Sequence, residues 1–148
     1  MSSFRGGHTY SVDNKGRINI PAKLRKNLSL DANDTFIIIR GFEKCLFVYP
    51  LDEWNRVEQR LRELSTFNPD HRFLLRTIFE HVAESTLDGQ SRIAIPSELR
   101  SFAEIDGDVL IIGALDRIEI WNPRVFQAYK KSRPETYEEI AAKVMGTP

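Results

Sequence analysis

Polar and apolar positions alternate in short bursts at the start of the chain, the mark of strands that bury one face. His8-Thr9-Tyr10-Ser11-Val12 is rich in strand formers, and Arg17-Ile18-Asn19-Ile20 alternates as a half-buried strand does. Between them Asp13-Asn14-Lys15-Gly16 reads as a turn closed by its own Asp and Asn side chains, with Gly16 suited to a left-handed position beside a bulge. Pro21 fits the first position of a short helix whose apolar face is Leu24 and Leu28. Thr35–Arg40 and Cys45–Tyr49 are two further strands, separated by a turn at residues 41–44. The period then changes. Leu51, Trp54, Val57, Leu61 and Leu64 recur every three or four residues, which predicts an amphipathic helix. Asn68-Pro69 supplies a cap and first position for a second helix through Phe73, Leu74, Ile78 and Phe79.

The pattern then begins again. Residues 82–87 lead into a turn at Asp88, a strand over 92–95 and a short helix from Pro96. Strands over 108–112 and 118–121 follow, with a turn near 114–117. Asn122-Pro123 opens a helix carrying Val125, Phe126 and Tyr129, and Pro134 is expected to open a last one with Tyr137, Ile140, Ala141 and Val144 that frays after Lys143. Asp13–Arg25 and Asp88–Arg100 agree in register at Asp13/Asp88, Arg17/Arg92, Ile18/Ile93, Ile20/Ile95, Pro21/Pro96, Leu24/Leu99 and Arg25/Arg100, so the chain is an internal duplication. The later strands match with a register two residues shorter (Glu43/Asp116, Lys44/Arg117, Pro50/Pro123), a loss placed in the intervening loop. The expected organisation is repeat one at 7–54, a helical connection at 55–80, repeat two at 81–126 and a helical tail at 127–148. The apolar helix stripes are read as core or subunit contacts.

Composition narrows the class. A chain of 148 residues, 41% hydrophobic and 28% charged, is long enough for a sizeable core and is ordinary globular protein. No apolar run approaches the ~20 residues of a membrane span, and the first residues lack a signal-peptide core, so the expected location is cytoplasmic. The single Cys45 lies in an apolar run and reads as a buried structural thiol rather than a nucleophile. Net charge is zero, yet residues 1–27 hold six basic side chains against Asp13 alone. A basic end on an otherwise acidic body suits a local anionic partner, nucleic acid first, with a solvated charged edge as the alternative. The three histidines are scattered, and no His-Glu-x-x-His, Cys-x-x-Cys or phosphate-cradling glycine loop occurs. His71 and His81 read as surface or capping residues, and no metal, cofactor or small-molecule substrate is expected.

Phe4-Arg5-Gly6, the loop Asp13–Arg17 running into Ile18-Asn19-Ile20-Pro21-Ala22-Lys23-Leu24-Arg25, the second Asp-x-x-x-Arg at Asp88–Arg92, and Tyr49-Pro50-Leu51-x-x-Trp54 resemble the MraZ family over nearly the whole chain. The family comprises bacterial transcriptional regulators with two SpoVT/AbrB-type domains. The resemblance implies an α+β, mainly β fold, a duplicated swapped-hairpin double-split β-barrel of the AbrB type with peripheral helices. It also implies binding to double-stranded DNA at promoter repeats of the division and cell-wall gene cluster, assembly as a ring-like homo-oligomer, and a nucleoid-associated place in the cytoplasm. This sequence departs from the pattern at Ser91, which stands where repeat one has Gly16; serine adopts a left-handed backbone less readily, so the second turn is expected to differ. Charge departs too: repeat one carries Lys15, Arg17, Lys23 and Arg25, repeat two only Arg92 and Arg100 with an added Glu98.

On the residues themselves, the functional reading is a basic hairpin loop presented to the major groove. Arg17 has a forked donor set for guanine or phosphate, Lys15 adds a mobile charge beside Gly16, and Arg5, Lys23 and Arg25 would hold backbone phosphates. Asp13 and Asp88 would repel phosphate and are read as turn formers pairing with Arg17 and Arg92; Arg92 and Arg100 form a secondary set, structural or DNA-contacting. A repressor acting on its own gene cluster is the leading expectation. An oligomeric scaffold without DNA readout is the alternative, and a small β-barrel enzyme a weaker one.

Overall fold

The computed structural model describes residues 2–146, which form eight strands and six α-helices; residues 147–148, the end of the expected tail, lie outside the described residues. β1 (Phe4–Ser11), β2 (Arg17–Asn19), α1 (Ala22–Arg25), β3 (Thr35–Arg40) and β4 (Leu46–Pro50) make up the first repeat. α2 (Leu51–Arg62) and α3 (Pro69–Glu80) connect it to β5 (Ala83–Thr86), β6 (Arg92–Ala94), α4 (Ser97–Phe102), β7 (Asp108–Leu115) and β8 (Arg117–Trp121), after which come α5 (Pro123–Ser132) and α6 (Tyr137–Met145).

The repeats exchange strands. β1 pairs with β7 of the second repeat, and β5 pairs with β3 of the first. β4 and β8 join the two halves, giving an antiparallel six-stranded sheet in the order β1-β7-β8-β4-β3-β5. That sheet is not closed, because β1 and β5 are its edges. β2 and β6 form a separate two-stranded ribbon in which Ile18 faces Ile93, its own counterpart in the duplication. The pairings thus obey a pseudo-twofold that passes through this isoleucine pair.

Burial explains the strand patterns. Ile18, Ile20, Leu24 and their counterparts Ile93, Ile95 and Leu99 pack against Phe36, Ile38, Leu46, Val48, Ile111, Ile118 and Ile120 on one face of the large sheet. The other face, Ile37, Ile39, Phe47, Tyr49 and Trp121, is covered by Trp54 and Ile78, with Phe126 and Tyr129 packed around them. β3 and β4 are therefore buried on both sides, which is why they read as continuous apolar runs rather than alternating ones. Cys45 is fully buried, and desolvation, reinforced by Glu119 and Glu43, pushes its thiol up to about 12, so it is inert.

Three local expectations change. β7 continues to Leu115 because β1 starts at Phe4 and pairs along its whole length; a Cβ on Gly113 would lie 2.4 Å from the Arg5 amide nitrogen, so only glycine admits this approach. Asn68 and Asn122 cap α3 and α5 through their side-chain oxygens as expected, but α6 starts later than Pro134. Its cap is Thr136, whose hydroxyl accepts the Glu139 amide at 3.1 Å, and it stays helical through Met145. The second turn, finally, does not differ from the first: Ser91 takes φ +61° where Gly16 has +76°.

Candidate nucleic-acid interface

Each Asp-x-x-x-Arg loop is built by one carboxylate. Asp13 Oδ1 accepts the amides of Lys15 and Arg17, both at 2.9 Å, and Oδ2 accepts Arg17 Nε at 2.7 Å. Backbone bonds from Asp13 to the Arg17 carbonyl and from Gly16 to the Asp13 carbonyl close the turn. Asp88 repeats every bond: its Oδ1 takes the amides of Gln90 and Arg92, its Oδ2 takes Arg92 Nε at 2.8 Å, and Ser91 replaces Gly16 as donor. Donation from the Arg17 amide is the main reason that the Asp13 carboxyl is lowered to about 2 despite some desolvation, and the Arg92 amide lowers Asp88 likewise. Both carboxylates are ionised at neutral pH and orient the arginines beside them.

The strand exchange decides what surrounds each loop. The Ile95 amide donates to the Gly16 carbonyl and the Ile20 amide to the Ser91 carbonyl, so each loop lies against the segment that follows the other repeat's ribbon strand. A Cβ on Gly16 would lie 2.7 Å from Arg100 Nε. Arg25 and Lys26 instead line a cleft of about 350 Å³ with Asp88 and Ser91. Arg25 and Lys26 of repeat one therefore flank the second loop, and Arg100 of repeat two flanks the first. The loops also touch: Arg92 Nη1 lies 3.7 Å from Asp13 Oδ2 while its Nε holds Asp88.

Of the expected residues, the structure brings Lys15, Gly16, Arg17, Asp13, Asp88, Arg92, Arg25 and Arg100 into this one region. Arg25 and Arg100 each give Nε to a backbone carbonyl, Ile20 and Ile95 respectively, at 2.9 Å, and so staple a helix to the residue that follows a ribbon strand. Lys15, Lys23 and Lys26 are exposed. Arg5 is not brought here: it sits at the start of β1, six residues before that strand's last residue. At roughly 3.3 Å per residue that is about 20 Å away. Lys26 was not singled out from the sequence; the available signal was the duplication itself, since a strand exchange moves each basic helix to the opposite loop.

Other sites offer little chemistry. His71 Nδ1 accepts the Ser65 amide at 2.9 Å in the bend before α3. Among the described residues no three His, Cys, Asp or Glu side chains gather where they could hold a metal ion, and no helix is long and apolar enough to cross a membrane.

Comparison with known proteins agrees with the duplicated architecture. The family model described as "MraZ protein, putative antitoxin-like" matches twice, at residues 3–77 and 78–145. A protein of Halothermothrix orenii named Transcriptional regulator MraZ is 43% identical over 139 residues, 94% of each chain. Proteins of the same name from Natranaerobius thermophilus (38% identical, 96% of each chain) and Caldanaerobacter subterraneus (41%, 92% of each) are similar along the same span. Two in-register matches and near-complete coverage leave one assignment: the chain belongs to the MraZ family.

Proposed function

We propose that this chain regulates transcription by binding double-stranded promoter DNA through the surface that its two Asp-x-x-x-Arg loops share. The observation that carries the reading is the crossing described above, which sets Lys15 and Arg17 of one loop beside a second loop flanked by Arg25 and Lys26. An arginine tethered through Nε keeps its Nη edge for a phosphate or for the acceptor edge of guanine, and the ionised aspartate fixes its direction. Lys15, Lys23 and Lys26 would supply mobile phosphate contacts.

The names of the relatives support a regulator rather than an enzyme. By family resemblance the target is the promoter of the division and cell-wall gene cluster, repression is the outcome, and the setting is the nucleoid. The fold that goes with this reading is the swapped-hairpin, double-split barrel; the strand exchange and the β2–β6 ribbon support it. Two repeats, at 7–54 and 81–126, would each supply half. One loop pair contacts few phosphates, and non-specific affinity is typically ~10⁻⁴–10⁻⁶ M, so an oligomer engaging several promoter repeats would gain ~10²–10⁴ in avidity.

The test is titration of the full chain on its own upstream DNA at several salt concentrations. Binding should weaken steeply with salt, and Arg17→Ala should reduce it by roughly 10-fold or more. Binding that ignores salt, or that survives Arg17→Ala unchanged, overturns the reading.

A further inference from the structure

Away from the Asp-x-x-x-Arg loops, the start of the chain, α2 and the β7–β8 hairpin meet around a cavity of about 690 Å³. Ser2 stands on one side of it, Arg56 and Arg60 of α2 on another, and Ala114 and Leu115 of the hairpin on a third. Its volume is that of a small-molecule site. Three of its features serve neither the core nor the sheet.

The first is charge. Arg56 and Arg60 lie four residues apart, so α2 sets two like charges one turn apart on one face, an arrangement that costs a helix stability. The two carboxylates of the wall are already answered, Glu53 by Arg56 and Asp116 by Arg117. Arg60 is exposed and forms no ion pair among the described residues, which leaves its forked guanidinium for a phosphate. The second is Ser2, only 8% exposed. Its amide donates to Glu53 Oε1 at 3.0 Å, but its buried hydroxyl has no partner among the described residues, where such groups normally find one. The third is Leu115, which takes φ +66° in the two-residue turn between the paired Ala114 and Arg117 and is 69% exposed. Glycine or asparagine is the usual choice for such a turn, and strain of this kind concentrates at ligand sites. Phe42, the counterpart of Leu115 in repeat one, is not left-handed, so the duplicated fold does not demand the strain.

We propose that this cavity binds a small phosphorylated molecule, its phosphate on Arg60 and Arg56 and its apolar part against Ala114 and Leu115, with the Ser2 hydroxyl as a further donor. The strained turn holds the leucine side chain where it covers the ligand. β1 starts beside the cavity and ends two residues before Asp13, about 23 Å further on, so the site is separate from both loops and joined to one of them by a single strand. The proposal rests neither on DNA binding nor on self-association.

Thermal shift and calorimetric titration of the full chain test it, with phenyl phosphate, inorganic phosphate and phenol as probes and circular dichroism to confirm folding. Phenyl phosphate should bind saturably and raise the melting temperature, inorganic phosphate should bind more weakly, and phenol should not bind. Arg60→Gln, at an exposed position, should weaken phenyl phosphate by roughly 10-fold or more. Leu115→Gly should raise the melting temperature of the free chain and weaken phenyl phosphate while leaving inorganic phosphate unchanged. Binding of promoter DNA should be the same in Arg60→Gln as in the parent chain. Phenyl phosphate that does not bind, or that binds Arg60→Gln equally well, overturns the proposal. Loss of DNA binding in Arg60→Gln overturns it too, because the arginines would then serve nucleic acid.

Discussion

Ser91 bears a left-handed backbone that Gly16 adopts freely, and the two turns nonetheless make the same bonds. Five hydrogen bonds centred on Asp88 hold the turn whatever its fourth residue prefers, the strain being about 1–2 kcal/mol. The reverse exchange is not neutral. A Cβ on Gly16 would meet Arg100 Nε at 2.7 Å and the Ile95 carbonyl at 2.9 Å. Gly16→Ser is therefore expected to lose ~1–3 kcal/mol in urea unfolding, whereas Ser91→Gly should gain up to ~1 kcal/mol. The carboxylates give a second expectation. Asp13 is lower folded, at about 2, than its ordinary 3.8, so its contribution to stability is present at neutral pH and fades as pH falls from about 4 through about 2. Thermal melts across that window should show less acid destabilisation in Asp13→Asn than in the parent chain. The Asp–Arg pairing could be read from sequence because an Asx turn is local. The tolerance of Ser91 could not, since it depends on how many bonds the turn makes.

At the scale of elements, most caps announced themselves. Asn68-Pro69 and Asn122-Pro123 begin helices because asparagine takes the orphan amides while proline needs none. Pro134 misled for the same reason that it attracted notice. The start of α6 is set two residues later, by the box Thr136-x-x-Glu139. Thr136→Ala should cost about 0.5–2 kcal/mol of helix stability, seen as faster amide exchange confined to α6. Pro134→Ala should leave that exchange unchanged. The doubled burial of β3 and β4 was legible as unbroken apolar runs, but which helices cover them was not, because an amphipathic stripe names its face and not its partner.

For the whole molecule, a count of charges along the chain sets the basic residues beside neighbours that the fold separates from them. Counted along the chain, Arg25 and Lys26 belong with Lys15 and Arg17; in space they flank the loop of Asp88. Arg5, close in sequence, is set apart by the length of a strand. A reading of the second loop as weak in charge therefore overlooks what the first repeat lends it. On promoter DNA, Lys26→Glu is expected to weaken binding about as much as Lys15→Glu and to flatten the salt dependence by ~1–2. Lys131→Glu, on α5, should change neither.

The pairing of Phe4 with Leu115 carries a consequence for synthesis. β1 has no partner until the chain has grown past residue 115, and the other edge of β3, already paired with β4, waits for β5. Ordering such distant segments is slow relative to local structure, so the nascent first repeat spends its wait with open strand edges. A second nascent first repeat on a neighbouring ribosome could fill those edges, and the hairpin-sized helices α2 and α3, made next, are the first elements able to shield one face of the unfinished sheet.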